Sequence, residues 1–205
     1  MKTYIVKKTT APVTEQSFAQ AEVAHVDYSP TWAPCVCPYH MEARVLYTDD
    51  ALYVNLKTDK DLLFAHQNLR DTPVCTDSCM EFFIAPDEDD EHYMNFEINP
   101  LGTLYVSHAL NRYEIKFLSD DESIFDIKSV ITKDEWQLSY KIPFSFLLKY
   151  FKKIGPKMRG NFYKCGEHAH IPHYATWSPI TCEKPDFHRP EFFGTLSFEK
   201  EIPCI

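Results

Sequence analysis

Residues 79–99 read CMEFFIAPDEDDEHYMNFEIN, two alternating runs on either side of an acidic turn that opens with Pro86. Side chains alternate faces along a strand. In the first run Met80, Phe82 and Ile84 share one face, while Cys79, Glu81 and Phe83 share the other. In the second, Met94, Phe96 and Ile98 lie together, opposite Tyr93, Asn95, Glu97 and Asn99. The two apolar trios must face a core. Pairing Cys79–Ala85 with Tyr93–Asn99 across the turn then gathers Glu81, Asn95 and Glu97 into one polar patch flanked by rings.

The same grammar extends outward in both directions. Met41–Tyr47 and Ala51–Thr58 form a hairpin joined at Asp49-Asp50. Thr103–Ala109 follows the turn at Pro100-Leu101-Gly102, and Phe125–Ile131 and Trp136–Ile142 flank Lys133-Asp134. Phe192–Phe198 closes the series. The one good helix candidate is Pro143–Phe151, with proline near its start. Strands at this spacing with short links predict an all-β fold, an antiparallel, jelly-roll-like β-sandwich with one short helix. A chain of 205 residues suffices for one core, so residues 1–205 are expected to form a single domain.

The stretch from Asn161 to Gly194, NFYKCGEHAHIPHYATWSPITCEKPDFHRPEFFG, has a different character. Pro172, Pro179, Pro185 and Pro190 forbid a helix of any length, so it is expected to be largely loop or short extended pieces. It concentrates Tyr163, Tyr174, Trp177, Phe187, Phe192 and Phe193 beside His168, His170, His173, His188 and Arg189. A long aromatic loop costs conformational entropy and is usually kept for function. Flat rings cover the apolar face of a pyranose, and neighbouring polar groups read its hydroxyls.

Aromatics make up 15% of the chain, and only five glycines stand against 14 prolines, so the loops are stiff. A net charge of −9 would repel phosphate backbones and anionic membranes, which argues against a nucleic-acid or membrane partner and raises no objection to a neutral sugar. The opening residues MKTYIVKKTTAPVTEQ contain no apolar signal segment. The chain as written is therefore expected in the cytoplasm, and in the periplasm or outside the cell if a leader has been removed. Seven irregularly spaced cysteines fit reduced thiols better than a disulfide framework.

Together Arg70-Asp71, Asp77 to Phe83, Tyr93 to Asn99, Gly102, Trp136 and Ile142-Pro143-Phe144 resemble family 9-like carbohydrate-binding domains. The resemblance continues through Asn161 to Lys164, His173-Tyr174, Trp177-Ser178-Pro179, Asp186 to Glu191 and Phe193-Gly194, and covers the chain from about Arg44 to Phe198. The pattern is most similar to a bacterial group often found with polysaccharide-degrading systems. The resemblance implies a β-sandwich that binds glycan ends without catalysis. Family members sandwich a sugar between two tryptophans. Trp177 matches the later one, whereas Thr72 to Thr76, where the earlier one should fall, holds no aromatic. Glu81 matches a glutamate aimed at sugar hydroxyls. A structural calcium is a further implication, without ligands that can be matched here.

The expected sugar site is therefore Trp177 as stacking platform, with Glu81, Asn95, Glu97, Arg70, His173, Tyr163, His188 and Arg189 around it. Two other functions stay open. Glu81 and Glu97 could serve as the acid and base of a glycosidase, or the polar sheet face could meet another protein. Arg189 either reads two sugar oxygens or pairs with Glu191. Cys165, His168, His170 and His173 lack a standard zinc spacing, and the acidic run Asp87 to Glu91 lacks the ordered spacing of a calcium loop. Trp136 reads as core, and Trp32 as a lid or an edge residue.

Overall fold

The computed structural model describes residues 2–59, 63–70 and 72–200. Asp71 of the Arg70-Asp71 pair lies outside the described residues. The strands are β1 (Thr3–Lys8), β2 (Ala24–His25), β3 (Met41–Tyr47), β4 (Ala51–Asp59), β5 (Ser78–Ala85), β6 (Tyr93–Ile98) and β7 (Leu104–Asn111). They continue with β8 (Glu114–Phe117), β9 (Lys128–Ile131), β10 (Glu135–Pro143), β11 (Lys157–Gly166), β12 (His173–Thr176) and β13 (Gly194–Phe198). A single α-helical turn, α1 (Phe144–Leu147), follows β10.

The strands join in the order β8-β7-β6-β5-β11-β13-β1-β3-β4-β10-β9, with β12 on β11 and β2 on β3. The joint is β1. Its residues Thr3 to Val6 pair in parallel with β13, and Lys7 and Lys8 pair in parallel with β3. One continuous sheet thus curls at β1 into two halves that close on a common core, as sandwiches do. From one half that core takes Met80, Phe82, Ile84, Met94, Phe96 and Ile98; from the other it takes Val45, Leu52, Val54, Leu56, Leu138 and Ile142. Trp136 is fully buried, and its indole N–H donates to Ser129 Oγ at 3.0 Å.

The hairpins expected from alternation form, and their register sets Glu81 directly opposite Glu97 and Phe82 opposite Phe96. Several boundaries differ for local reasons. Phe125 ends a 3-10 turn (Glu122–Phe125) rather than starting a strand, because Asp121 caps that turn and Asp126 takes a left-handed φ of 46°. Residues Pro190–Phe192 form another 3-10 turn, so the last strand begins at Gly194. The helix is one turn long, and Leu148 to Phe151 continue as turns onto the carbonyls of Phe144, Phe146 and Leu147. Asn161 to Gly166, read as part of a loop, are instead the second half of β11, the strand that joins β5 to β13.

Candidate functional site

The second face of β5, β6, β7 and β11 is also buried, which the alternation alone did not require. Phe83, Ala85, Tyr93, Ala109, Tyr163 and Phe193 form a smaller apolar cluster there, and Trp32, Phe187 and Phe192 pack against it. The chain from residue 177 to 193 crosses this face. Its prolines exclude ladder pairing, so side chains from the sheet hold it instead. Asn161 clasps Ser178, donating from Nδ2 to its carbonyl at 2.9 Å and accepting its N–H at 2.8 Å. Tyr163 donates to the carbonyl of Phe187 at 3.2 Å, and Tyr93 Oη meets His188 Nδ1 at 2.8 Å. Arg112 and Arg159 donate to the carbonyls of Pro185 and Pro190 at 3.0 and 3.3 Å. The polar sheet face is therefore not an open surface for a protein partner.

Where the loop leaves the sheet, it encloses a pocket of about 240 Å³. Glu81, Glu97 and Phe83 line it from the sheet. Trp32, Tyr174 and Phe187 supply aromatic walls, with ring centroids 5.1 Å apart for Trp32 and Tyr174 and 5.8 Å for Trp32 and Phe187. Phe187 stacks on Tyr163 at 4.2 Å and 10°. Cys75 and Cys165 close one side, and Arg112, Glu167, Asp186 and His188 complete the lining. Cys165 Sγ lies 2.8 Å from the carbonyl of Cys75, its acceptor. No disulfide joins the six described cysteines.

Facing carboxyls on adjacent strands repel when both are charged, and here they are also buried, with Glu81 2% and Glu97 5% exposed. Burial and then the neighbouring Glu97 push the Glu81 carboxyl well above the usual range. Burial pushes Glu97 up to about 7, against the pull of Asn95, whose amide donates to Glu97 Oε1 at 2.7 Å. Asn95 in turn accepts from Ser107. Burial lowers His188 to about 4, helped by Arg112, so its ring is neutral near pH 7. Two buried atoms of the lining have no hydrogen-bond partner among the described residues, Glu81 Oε1 and Trp32 Nε1. An unmet buried polar atom costs about 1–3 kcal/mol.

Of the residues expected from sequence, Glu81, Glu97 and His188 line the pocket. Asn95 stands behind Glu97, and Tyr163 backs the Phe187 ring. Arg189 lies in a neighbouring groove and is bonded to Glu191, Nε to Oε1 at 2.7 Å. Arg70 donates to the carbonyls of Leu118, at 2.8 Å, and Asp120, which fixes the chain after β8. Trp177 and His173 need correction, and register explains both. Lys164 pairs with Ala175, and the Trp177 N–H bonds the Phe162 carbonyl at 2.9 Å, so residues 173, 175 and 177 share the inward face of Phe162. Trp177 is 3% exposed in the main core, edge-on to Tyr4 and Phe162 at 6.3 and 5.6 Å. His173 is buried, meets Lys164 Nζ at 2.8 Å and is lowered to about 4 by burial and then by Lys164. Tyr174, one step out of phase, is the residue that reaches the pocket.

Arg112 and Glu167 were not anticipated, since a turn residue and an exposed loop acid carry no local signature. Trp32 was noted only as a lid or edge residue and proves to be a wall. Among the described residues no group of three or more His, Cys, Asp or Glu side chains is placed to hold a metal ion. In the acidic run, Asp87 and Asp89 face Lys153 at 3.2 and 3.5 Å and Asp90 faces His92 at 3.0 Å.

A family model described as carbohydrate-binding family 9 matches residues 13–198. A crystal structure of a candidate carbohydrate-binding protein from Bacteroides uniformis is 29% identical, covers 97% of this chain and 99% of its own, and superposes with a TM-score of 0.84. A family 9 carbohydrate-binding module from Caldicellulosiruptor kristjanssonii in complex with cellotriose is 15% identical over 96% of this chain and 93% of its own, with a TM-score of 0.65. The module from that organism in complex with glucose gives 14% identity, 97% and 96% coverage and a TM-score of 0.64. No curated protein matches the chain.

Proposed function

The chain belongs to carbohydrate-binding family 9, and on that premise we propose that it binds a neutral glycan without catalysis, seating one sugar ring in the pocket of Trp32, Tyr174 and Phe187. The observation that carries this reading is the pairing of aromatic walls with the Glu81 and Glu97 carboxyls in the lining of one pocket. Rings take the apolar face of the sugar, and the carboxyls take hydroxyls. Trp32 in this reading supplies the aromatic that the segment from Thr72 to Thr76 lacks, and Trp177 serves the core instead. The Caldicellulosiruptor modules seen with cellotriose and glucose support a β-linked glucan as the first ligand to try.

A glycosidase reading is weaker. Its two carboxyls must flank the scissile bond. Here Glu81 and Glu97 stand directly opposite each other on neighbouring strands, in the same wall of the pocket. A single ring held by a few contacts gives micromolar to millimolar affinity. The test is intrinsic tryptophan fluorescence across a panel of mono-, oligo- and polysaccharides, with aryl glycosides included to detect turnover. Saturable quenching by one sugar class, abolished in Trp32→Ala, is expected. A flat response to every sugar, or turnover lost in Glu81→Gln, refutes the proposal.

A further inference from the structure

The β7–β8 hairpin turns at Arg112-Tyr113; Arg112 lines the pocket, and Tyr113 stands 88% exposed. A second groove of about 490 Å³ runs along this hairpin, lined by Asn111, Arg112, Tyr113, Asp186, Arg189 and Glu191 among others. Arg112, Asp186 and His188 line both cavities, so the groove continues the pocket rather than lying apart from it.

Resting on the carbohydrate reading above, we infer that this groove is a second subsite, which takes the next one or two rings of an oligosaccharide whose first ring sits against Trp32. Size sets the division of labour. The pocket, at about 240 Å³, is smaller than the roughly 300–1,000 Å³ that houses a drug-sized ligand, so a chain of rings must leave it. Arg112 and Asp186 line both cavities, and Tyr113 lines the groove. The groove has the two things a pyranose needs. Tyr113 offers a flat ring with the Arg112 guanidinium 5.9 Å from its centroid, and Arg189 and Glu191, held together at 2.6 Å, present donors and acceptors. The hairpin is prepared for the task. Asn111 Oδ1 accepts the N–H groups of Tyr113 and Glu114 at 2.8 and 3.2 Å, and Arg112 is anchored on the Pro185 carbonyl at 3.0 Å. The turn backbone and Arg112 are therefore already ordered when a sugar arrives.

The test is calorimetry with gluco-, xylo- and 1,3-linked gluco-oligosaccharides of one to four rings, on the native chain and on Tyr113→Ala. Circular dichroism checks that the variant is folded, which its exposed hairpin position favours. Affinity is expected to rise about tenfold from one ring to three, and Tyr113→Ala to remove most of that gain while one-ring binding stays within about twofold. Affinity independent of length overturns the subsite and leaves the pocket standing. A length-dependent gain that survives in Tyr113→Ala also overturns it. Absence of binding by any sugar overturns the carbohydrate reading and the subsite with it.

Discussion

Replacing Glu97 by glutamine should make the protein more stable above neutral pH, by an amount that grows with pH. Glu97 is raised from 4.5 to about 7 in the folded chain. Below pH 4.5 it is protonated both folded and unfolded and contributes nothing. Between 4.5 and about 7 the unfolded chain has released the proton and the folded chain keeps it, so stability falls as pH rises. Above 7 the loss is complete and amounts to about 3 kcal/mol. The substituted amide keeps a carbonyl to accept from Asn95 and never ionises. Removing the charge also eases Glu81, in the same direction. His173 and His188, both lowered to about 4, act oppositely, since the unfolded chain binds their protons more tightly up to about 6.5. They are present in both proteins, so the difference between the two reports the Glu81–Glu97 pair. Urea unfolding at steps from pH 4.5 to 8 should show the Glu97→Gln advantage opening from near zero to about 3 kcal/mol, or roughly 6–12 °C in melting temperature. Parallel stability curves for the two proteins would refute the buried carboxyl pair.

Further outcomes follow from the packing and charge. Trp177→Ala should destabilise the fold by about 3–5 kcal/mol in urea titration, as large core truncations do; a fully stable variant that no longer binds sugar would restore Trp177 as the platform. Gly194→Ala should cost about 1–3 kcal/mol in the same titration, because an added Cβ would lie 2.7 Å from Trp177 Cη2 and 2.9 Å from the Lys2 carbonyl. Uronic acids should bind at least about tenfold more weakly than their neutral parents above pH 7, where the ionised Glu97 joins Glu167 and Asp186 against Arg112 around the pocket; equal affinities by calorimetry would contradict that. A calcium chelator should leave the melting temperature unchanged, because Lys153 and His92 already face the acidic turn; a fall restored by calcium would reveal a site.

The parts of the fold built from neighbouring segments were legible in the sequence. The runs at 41–58 and 79–99 carry their own alternation and turn, and Glu81, Asn95 and Glu97 fall on the predicted face. What long-range pairing decides was not legible. β1 was unread because its partners are β13, at the far end of the chain, and β3, and both pairings are parallel. The site suffered from phase. Between residues 173 and 177 a strand of uncertain start places either the odd or the even residues in the pocket, and only the register against β11 selects Tyr174 over His173 and Trp177. Trp32 arrives from a loop with no periodicity at all, held near Tyr174 by ring contact. The second face of the sheet looked solvated because nothing local announces that a proline-rich loop will fold back over it.

The position of a bound sugar tests the central claim most directly, and a crystal structure with cellotriose or whichever glycan binds best in the panel would supply it. The account predicts a pyranose ring against Trp32 and Phe187, with a hydroxyl within hydrogen-bond reach of the Glu81 or Glu97 carboxyl. A sugar bound elsewhere, with this pocket empty, would contradict it.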